Sequence, residues 1–458
     1  MLHLLEQLIV AIWNRLQGRG KKVREERSDL SLGYRIVDGQ IIGQKVTLNT
    51  ARRAMHVAVL GKTGTGKSSF LRYQGQQDIE AGRGGVFFDL HGDMTPFLLR
   101  TIHAQEQHLG RDLSDKVILI DPSDPVFSVG FNPLETEVAD FVLIAEFTQV
   151  LRLRWGLDHF GARTDELLRN ALFVLSANGL TLLELALLLT NGSFRAACLT
   201  RVPNPEVRDY FESRYDQVSD AMRGTMREPI LNKTSAFTAD PHFRHIVGQA
   251  RSTFSMKDAM DNGRWVIVNL PKGKLGEQAI TLGSLLFTVI KNALFTRDKR
   301  SLFTLYCDEI QNFVAYGAGI ETVLSEARKF GVSVVSANQF LDQYPPEMRA
   351  AILSVGTHAF FQLSSLDATQ VSHALDGGKP LAERLKNLSQ RHAIVKSGDE
   401  RWTEIIVPTV HEPKLDYADL RNRAQGRWGR VRTDIEHDIQ KRQQVARRNE
   451  KEVLDGWE

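Results

Sequence analysis

The run Gly61-Lys62-Thr63-Gly64-Thr65-Gly66-Lys67-Ser68 places glycine first and sixth and ends in Lys-Ser, the spacing that a phosphate-cradling loop requires. Glycines let successive backbone N–H groups turn inward around phosphate oxygens, and the helix that follows adds the positive end of its dipole. The Lys67 ammonium reaches toward the β- and γ-phosphates, the Ser68 hydroxyl supplies one ligand to Mg²⁺, and Ser69 completes the site. These residues predict binding of a nucleoside triphosphate.

Hydrolysis needs a second acid on the metal side and an activated water. Residues 302–307 form an apolar run of buried-strand type that ends in Asp308-Glu309. At such a strand end Asp308 is expected to hold Mg²⁺ through water, and Glu309 to orient and deprotonate the attacking water. Residues 332–338 form another run of this type, ending at Gln339. Gln339 is expected to sense the γ-phosphate by hydrogen bonding; an ordinary polar strand terminus is the plainer alternative. His91 and Asp93, in the turn after residues 85–88, have two readings, catalysis and turn closure.

These groups need a scaffold that brings strand ends together. Runs 57–60, 85–88 and 117–120 alternate with helical periodicity, which predicts an α/β fold with a mainly parallel sheet. From about 137 to 258 the pattern turns leucine-rich and helical, and a buried-strand run resumes at 265–270. Late strand candidates follow at 359–363, 393–395 and 404–407. The expected organisation is an amphipathic helix and basic linker (1–28), the first part of an ATPase domain (29–136), an all-helical insertion (137–258), the second part of the ATPase domain (259–412) and a charged tail (413–458).

At 458 residues the chain exceeds one ordinary core. Its 58 Lys plus Arg against 55 Asp plus Glu leave a net charge of +3, so contact with nucleic acid must come from local patches. Two candidate patches are Lys272-Gly273-Lys274 and the cluster Arg421, Arg423, Arg427, Trp428, Arg430 and Arg432. Cys198 and Cys307 lie far apart, the usage of a reducing, cytoplasmic compartment. Leu2, Leu5, Ile9, Ile12 and Leu16 share one helical face ahead of a basic flank. The helix over 2–16 is too short to span a membrane and suits either an anionic inner-membrane surface and secretion channel or docking on a protein.

The ordered set resembles the conjugative coupling proteins of TraD/TraG type, within the HerA/FtsK superfamily of hexameric DNA motors. Besides the phosphate loop and Asp308-Glu309, the resemblance rests on residues 88–93, 121–124, 130–134 and the run Ser325-Glu326-Ala327-Arg328-Lys329-Phe330-Gly331. It implies a RecA-like P-loop core with an inserted all-helical domain, ATP and Mg²⁺ as cofactors, a homohexamer, and passage of DNA through its ring. It also implies relaxosome or DNA-processing partners, through the stretch around Asp308. A ring ATPase calls for an arginine supplied across the subunit boundary; Arg328 is the leading candidate, with Arg251 second. Two alternatives stay open: a HerA-like translocase in DNA repair or defence, and a P-loop switch that only recruits a protein.

Overall fold

The structure, a computed structural model, describes residues 29–135, 141–313 and 319–454; the amphipathic helix expected at 2–16 lies outside them. A hairpin comes first, β1 (Leu30–Val37) and β2 (Gln40–Leu48). Asp38 and Gly39 join its strands with φ of 50° and 75°, the left-handed pair that a two-residue hairpin turn demands. Next come β3 (Val57–Leu60), α1 (Lys67–Glu80), β4 (Gly85–Asp89), α2 (Met94–Leu109), β5 (Val117–Ile120) and β6 (Phe127–Ser128). Between β6 and β7 (Trp265–Asn269) the described elements are all helical, the longest being α3 (Phe141–Arg154), α4 (Ala162–Ala177) and α5 (Asp220–Thr238). The chain continues through α6 (Glu277–Thr296), β8 (Phe303–Asp308), β9 (Val332–Asn338), β10 (Thr357–Phe360), β11 (His392–Ser397) and β12 (Thr403–Ile406). It closes with α7 (Ala418–Trp428), β13 (Arg430–Val431) and α8 (Arg432–Leu454).

These elements form two compact units. The first comprises Met1–Arg83, Leu302–Tyr306 and Gly331–Glu412, with strand order β2-β1-β12-β11-β10-β3-β9-β8. β3 lies between β10 and β9 and runs parallel to both, with Leu60 opposite Phe360 and Asn338. All three strands are buried along their whole length, as expected where both faces of a parallel sheet are covered. β11, β12, β1 and β2 extend the sheet as antiparallel strands. On the buried face of α1, Asp78 accepts hydrogen bonds from Arg53 at 2.8 and 2.6 Å, from Arg83 at 2.7 Å and from the Tyr306 hydroxyl at 2.7 Å. Burial alone would raise the Asp78 pKa, but Arg53 and these donors hold it below the usual carboxylate range.

The second unit comprises Gly84–Ser301, Cys307–Phe330 and Pro413–Glu458. β7 lies between β4 and β5, parallel to both, with Asp89 opposite Asn269. α6 is long and apolar enough to cross a membrane by length and composition, but 72% of that stretch is buried within the protein, which makes it a core helix. The segment after 413, expected as a charged tail, is part of this unit. Gln425 donates to the Leu119 carbonyl at 3.3 Å, which seats α7 on β5. On α8, Ile435 and Ile439 share a face and are buried against Leu183.

Candidate functional site

The phosphate loop joins β3 to α1 inside the first unit. Gly64 and Gly66 have φ of 79° and 122°, conformations that side-chain-bearing residues rarely adopt. Gly66 is the residue before α1, and no side chain caps that helix, so its first N–H groups face the loop. The Lys67 ammonium donates to the Gly61 carbonyl at 2.6 Å and the Lys62 carbonyl at 3.0 Å, across the mouth of the turn. Thr65 is buried and its hydroxyl donates to the Lys62 carbonyl at 2.7 Å, whereas Lys62, Thr63, Gly64 and Ser68 are exposed and Ser69 partly so. A glycine-rich loop leading into an uncapped helix, with the Lys67 ammonium across its mouth and the exposed Ser68 hydroxyl beside it, fits a polyphosphate with its divalent ion.

Gln339 belongs to the same site: Thr63 Oγ1 donates to Gln339 Oε1 at 3.2 Å. The pairing of β9 with β3 causes this, because the Gly61 N–H donates to the Asn338 carbonyl at 3.2 Å. The Gln339 N–H is itself held by Gln343 Oε1 at 2.9 Å, which fixes the residue at the strand end.

Sequence reasoning missed the groups that brace the loop from behind. The Lys62 N–H donates to the Gln362 carbonyl at 2.9 Å, and the Arg391 N–H to the Thr65 carbonyl at 2.8 Å. Gln390 Nε2 donates to the Gly64 carbonyl at 3.2 Å. A Cβ on Gly61 would sit 2.5 Å from Phe361 Cβ, so glycine is required here by packing as well as by phosphate access. Arg391 has a φ of 65°, an uncommon value for a non-glycine residue, and no neighbouring motif marks it.

Asp308 and Glu309, both partly buried, stand at the carboxyl end of β8 and belong to the second unit. Glu309 has φ 53° and ψ 50°, a left-handed conformation costing about 1–2 kcal/mol for an L-residue, and such strain is concentrated at functional sites. Its carboxylate accepts from Asn312 Nδ2 at 3.0 Å, and its carbonyl from the Asn312 N–H at 2.9 Å. Ile310 and Phe313 anchor this turn as fully buried residues. Cys307, one residue before Asp308, is buried in β8, and burial pushes its thiol pKa far up; Cys198 is pushed up to about 11 by burial. Neither thiol is a nucleophile at neutral pH.

Arg328 is exposed in the 3-10 turn Ala327–Phe330 and makes no hydrogen bond or ion pair among the described residues. Arg251 pairs with Glu135 at 3.3 Å. Of the basic patches, Lys272, Gly273 and Lys274 are exposed, with Lys272 paired to Glu277 at 2.9 Å. The carboxyl-terminal cluster, the second candidate for DNA contact, is engaged in ion pairs and hydrogen bonds within the protein. Arg421 pairs with Asp124 at 2.8 Å, Arg423 with Glu106 at 2.7 Å, Arg427 with Asp112 at 3.6 Å and Arg430 with Asp438 at 2.6 Å. Arg432 donates to the Pro122 carbonyl at 2.6 Å, and Arg264 stacks over Trp428 at 4.7 Å. Exposed His91 and Asp93 flank a turn that Asp89 closes, by accepting from the N–H groups of His91, Gly92 and Thr95 and from the Thr95 hydroxyl.

Residues 36–157 match the family model of the HerA helicase central domain, DUF87. No curated protein sequence matches. Among solved structures, the bacterial conjugative coupling protein TrwBΔN70 aligns at 17% identity with a TM-score of 0.56, over 84% of this chain and 91% of that one. TrwB in complex with a non-hydrolysable ATP analogue aligns at 16% identity and 0.59, over 85% and 96%. VirB4 of Thermoanaerobacter pseudethanolicus aligns at 15% identity and 0.53, over 82% and 96%. The fold is thus the RecA-like P-loop ATPase fold of the coupling proteins, α/β with parallel strands around the phosphate loop.

Proposed function

We propose that this chain is an ATP-hydrolysing motor that moves DNA, working as a homohexamer in conjugative or type IV DNA transfer. The observation that carries it is the braced phosphate loop, with Lys67 spanning its mouth and Gln339 bonded to Thr63. TrwB has been captured with ATP and GTP analogues and with ADP and Mg²⁺, which supports ATP and Mg²⁺ for this loop. The HerA match over 36–157 and the coupling-protein fold support a motor over a recruiting switch.

In this reading residues 61–69 hold the phosphates and Lys67 neutralises charge at the β,γ-bridge. Ser68 and Asp308 would hold Mg²⁺, which would neutralise charge on the phosphate oxygens as the bond breaks. Glu309 takes the proton from the attacking water, and Gln339 senses loss of the γ-phosphate. Arg328, exposed and unpaired among the described residues, reaches the phosphates of the neighbouring subunit. Helices between 137 and 258 form a domain inserted into the ATPase core, 29–136 and 259–412. Lys272 and Lys274 are the DNA-gripping candidates. Relaxosome proteins dock near Asp308, and residues 2–16 tether the ring at the inner face of the cell membrane or on a secretion channel.

The test is ATP hydrolysis by wild type and Glu309→Gln without DNA, with single-stranded DNA and with duplex, with assembly mass measured alongside. Severalfold stimulation by DNA in a hexamer, lost in Glu309→Gln, is expected. Slow hydrolysis by a monomer, indifferent to DNA, refutes the motor. The HerA match also favours a second reading, a translocase in DNA repair or defence. Deletion of the gene separates the two: the first predicts loss of plasmid transfer with ordinary survival of DNA damage, the second the reverse.

A further inference from the structure

We infer that Arg154, at the end of α3, is a positioning residue for Glu309 and makes hydrolysis depend on where α3 stands. The inference rests on the reading of Glu309 as the group that activates water. Arg154 Nη2 donates to the Asn312 carbonyl at 2.5 Å, and Arg154 Nε donates to Ser284 Oγ at 2.9 Å. Asn312 in turn donates its side-chain amide to the Glu309 carboxylate at 3.0 Å. One guanidinium therefore fixes the residue that fixes the acid, in a chain of hydrogen bonds from α3 to the end of β8.

Packing sets the floor of the turn. Phe313, next to Asn312, lies against α6 where residue 283 is glycine: a Cβ there would come within 2.4 Å of Phe313 Cδ1. The Phe313 ring packs on Phe88 with centroids 4.4 Å apart. Ser284, beside that glycine, donates its hydroxyl to the Ile280 carbonyl at 2.9 Å, which leaves an oxygen lone pair for Arg154. α6 thus holds the floor of the turn, and α3 reaches Asn312 through the Arg154 side chain.

Arg154 is suited to this task and poorly explained by stability. It makes no ion pair among the described residues, and burial holds its guanidinium pKa below the ordinary arginine value. This half-buried cation, whose hydrogen bonds go to a hydroxyl and a carbonyl and which feels the charge of Glu277 without pairing to it, contributes modest net stability. Its planar fork, however, reaches two acceptors on separate elements at once, which lysine does not do. A shift of α3 that lengthened the bond to Asn312 would release Glu309 from its strained conformation and slow the water-activating step.

The test measures kcat and KM for ATP in the full chain with DNA, for Arg154→Ala, Arg154→Lys, Asn312→Ala, the Arg154→Ala/Asn312→Ala double variant and Glu309→Gln. Arg154→Ala and Asn312→Ala are expected each to lower kcat about 10- to 100-fold with KM for ATP within about twofold. The double variant should be no slower than either single one, because both cut one chain. Arg154→Lys should recover only part of the loss. If Arg154→Ala fails to fold, Asn312→Ala and Ser284→Ala carry the same comparison. Turnover lost in Glu309→Gln but kept in Arg154→Ala and Asn312→Ala, or losses that multiply in the double variant, overturns this inference alone. Turnover untouched by Glu309→Gln removes the reading of Glu309, and this inference with it.

Discussion

Two glycines of the phosphate loop should respond differently to the same added methyl group. At Gly64 the φ is 79° and a new Cβ would meet no heavy atom within 4 Å. Alanine there pays only for the left-handed backbone, about 1–2 kcal/mol. At Gly66 the φ is 122°, and the Cβ would lie 3.0 Å from Arg391 Cα, 3.1 Å from Arg391 N and 3.3 Å from Phe361 Cε1. Backbone strain of about 1–3 kcal/mol then adds to an overpacking cost of about 1–3 kcal/mol. A loop can relieve such strain by opening, and nucleotide must then close it again, so the cost appears in affinity. At 1.4 kcal/mol per tenfold, Gly64→Ala should weaken binding by about 5- to 30-fold and Gly66→Ala by about 30-fold or more. Titration of a fluorescent ATP analogue with Mg²⁺ measures both, and thermal melting checks that each variant remains folded. Equal losses, or a larger one at Gly64, would refute the bracing of the loop by residues 361 and 391.

Arg328→Ala should keep nucleotide affinity within about twofold while hydrolysis by the assembled hexamer falls by about 10³-fold or more; unchanged turnover per hexamer removes Arg328 as the group acting across subunits. Asp78→Asn should destabilise the first unit by about 3–5 kcal/mol, because it leaves the buried Arg53 cation without its counter-charge. Since folding depresses the Asp78 pKa, its contribution is fully present above the ordinary carboxylate value of about 4 and is lost as pH falls through the lower folded value. Wild type should therefore lose more stability than Asp78→Asn on acidification below about pH 4, as read by denaturant titration at several pH values; parallel pH curves would refute this.

The phosphate loop and the ends of β8 and β9 were legible in the sequence because their information is local: a fixed spacing, or an apolar run with a polar end. Gln339 could be placed near the loop for the same reason, by the logic of parallel strand ends, and its bond to Thr63 agrees. The hairpin of β1 and β2 was overlooked although Asp38-Gly39 is a strong turn signal. β2 is exposed along most of its length, so its sequence lacks the apolar alternation that marks a half-buried strand. Arg391 and Asn312 carried no local signal, since each acts through contacts decided by the fold. Arg421 and Arg423 read as part of a solvated or nucleic-acid-binding run because the carboxylates Glu106, Asp112, Asp121 and Asp124 that they reach lie about 300 residues earlier.

β3, which leads into the phosphate loop, is flanked on both sides by strands encoded far downstream, β9 at 332–338 and β10 at 357–360. A ribosome adding about 5–20 residues per second needs roughly 15–60 s to make the intervening stretch. For that interval the nascent β3 has neither sheet neighbour, and the bonds from residues 362 and 391 that shape the loop do not yet exist. Nucleotide therefore cannot guide the early steps of folding; it selects for chains already translated past residue 391. An apolar strand left waiting so long is a natural client for a chaperone, and a protein cut short before β10 would emerge with its phosphate-loop sequence intact and no capacity to bind.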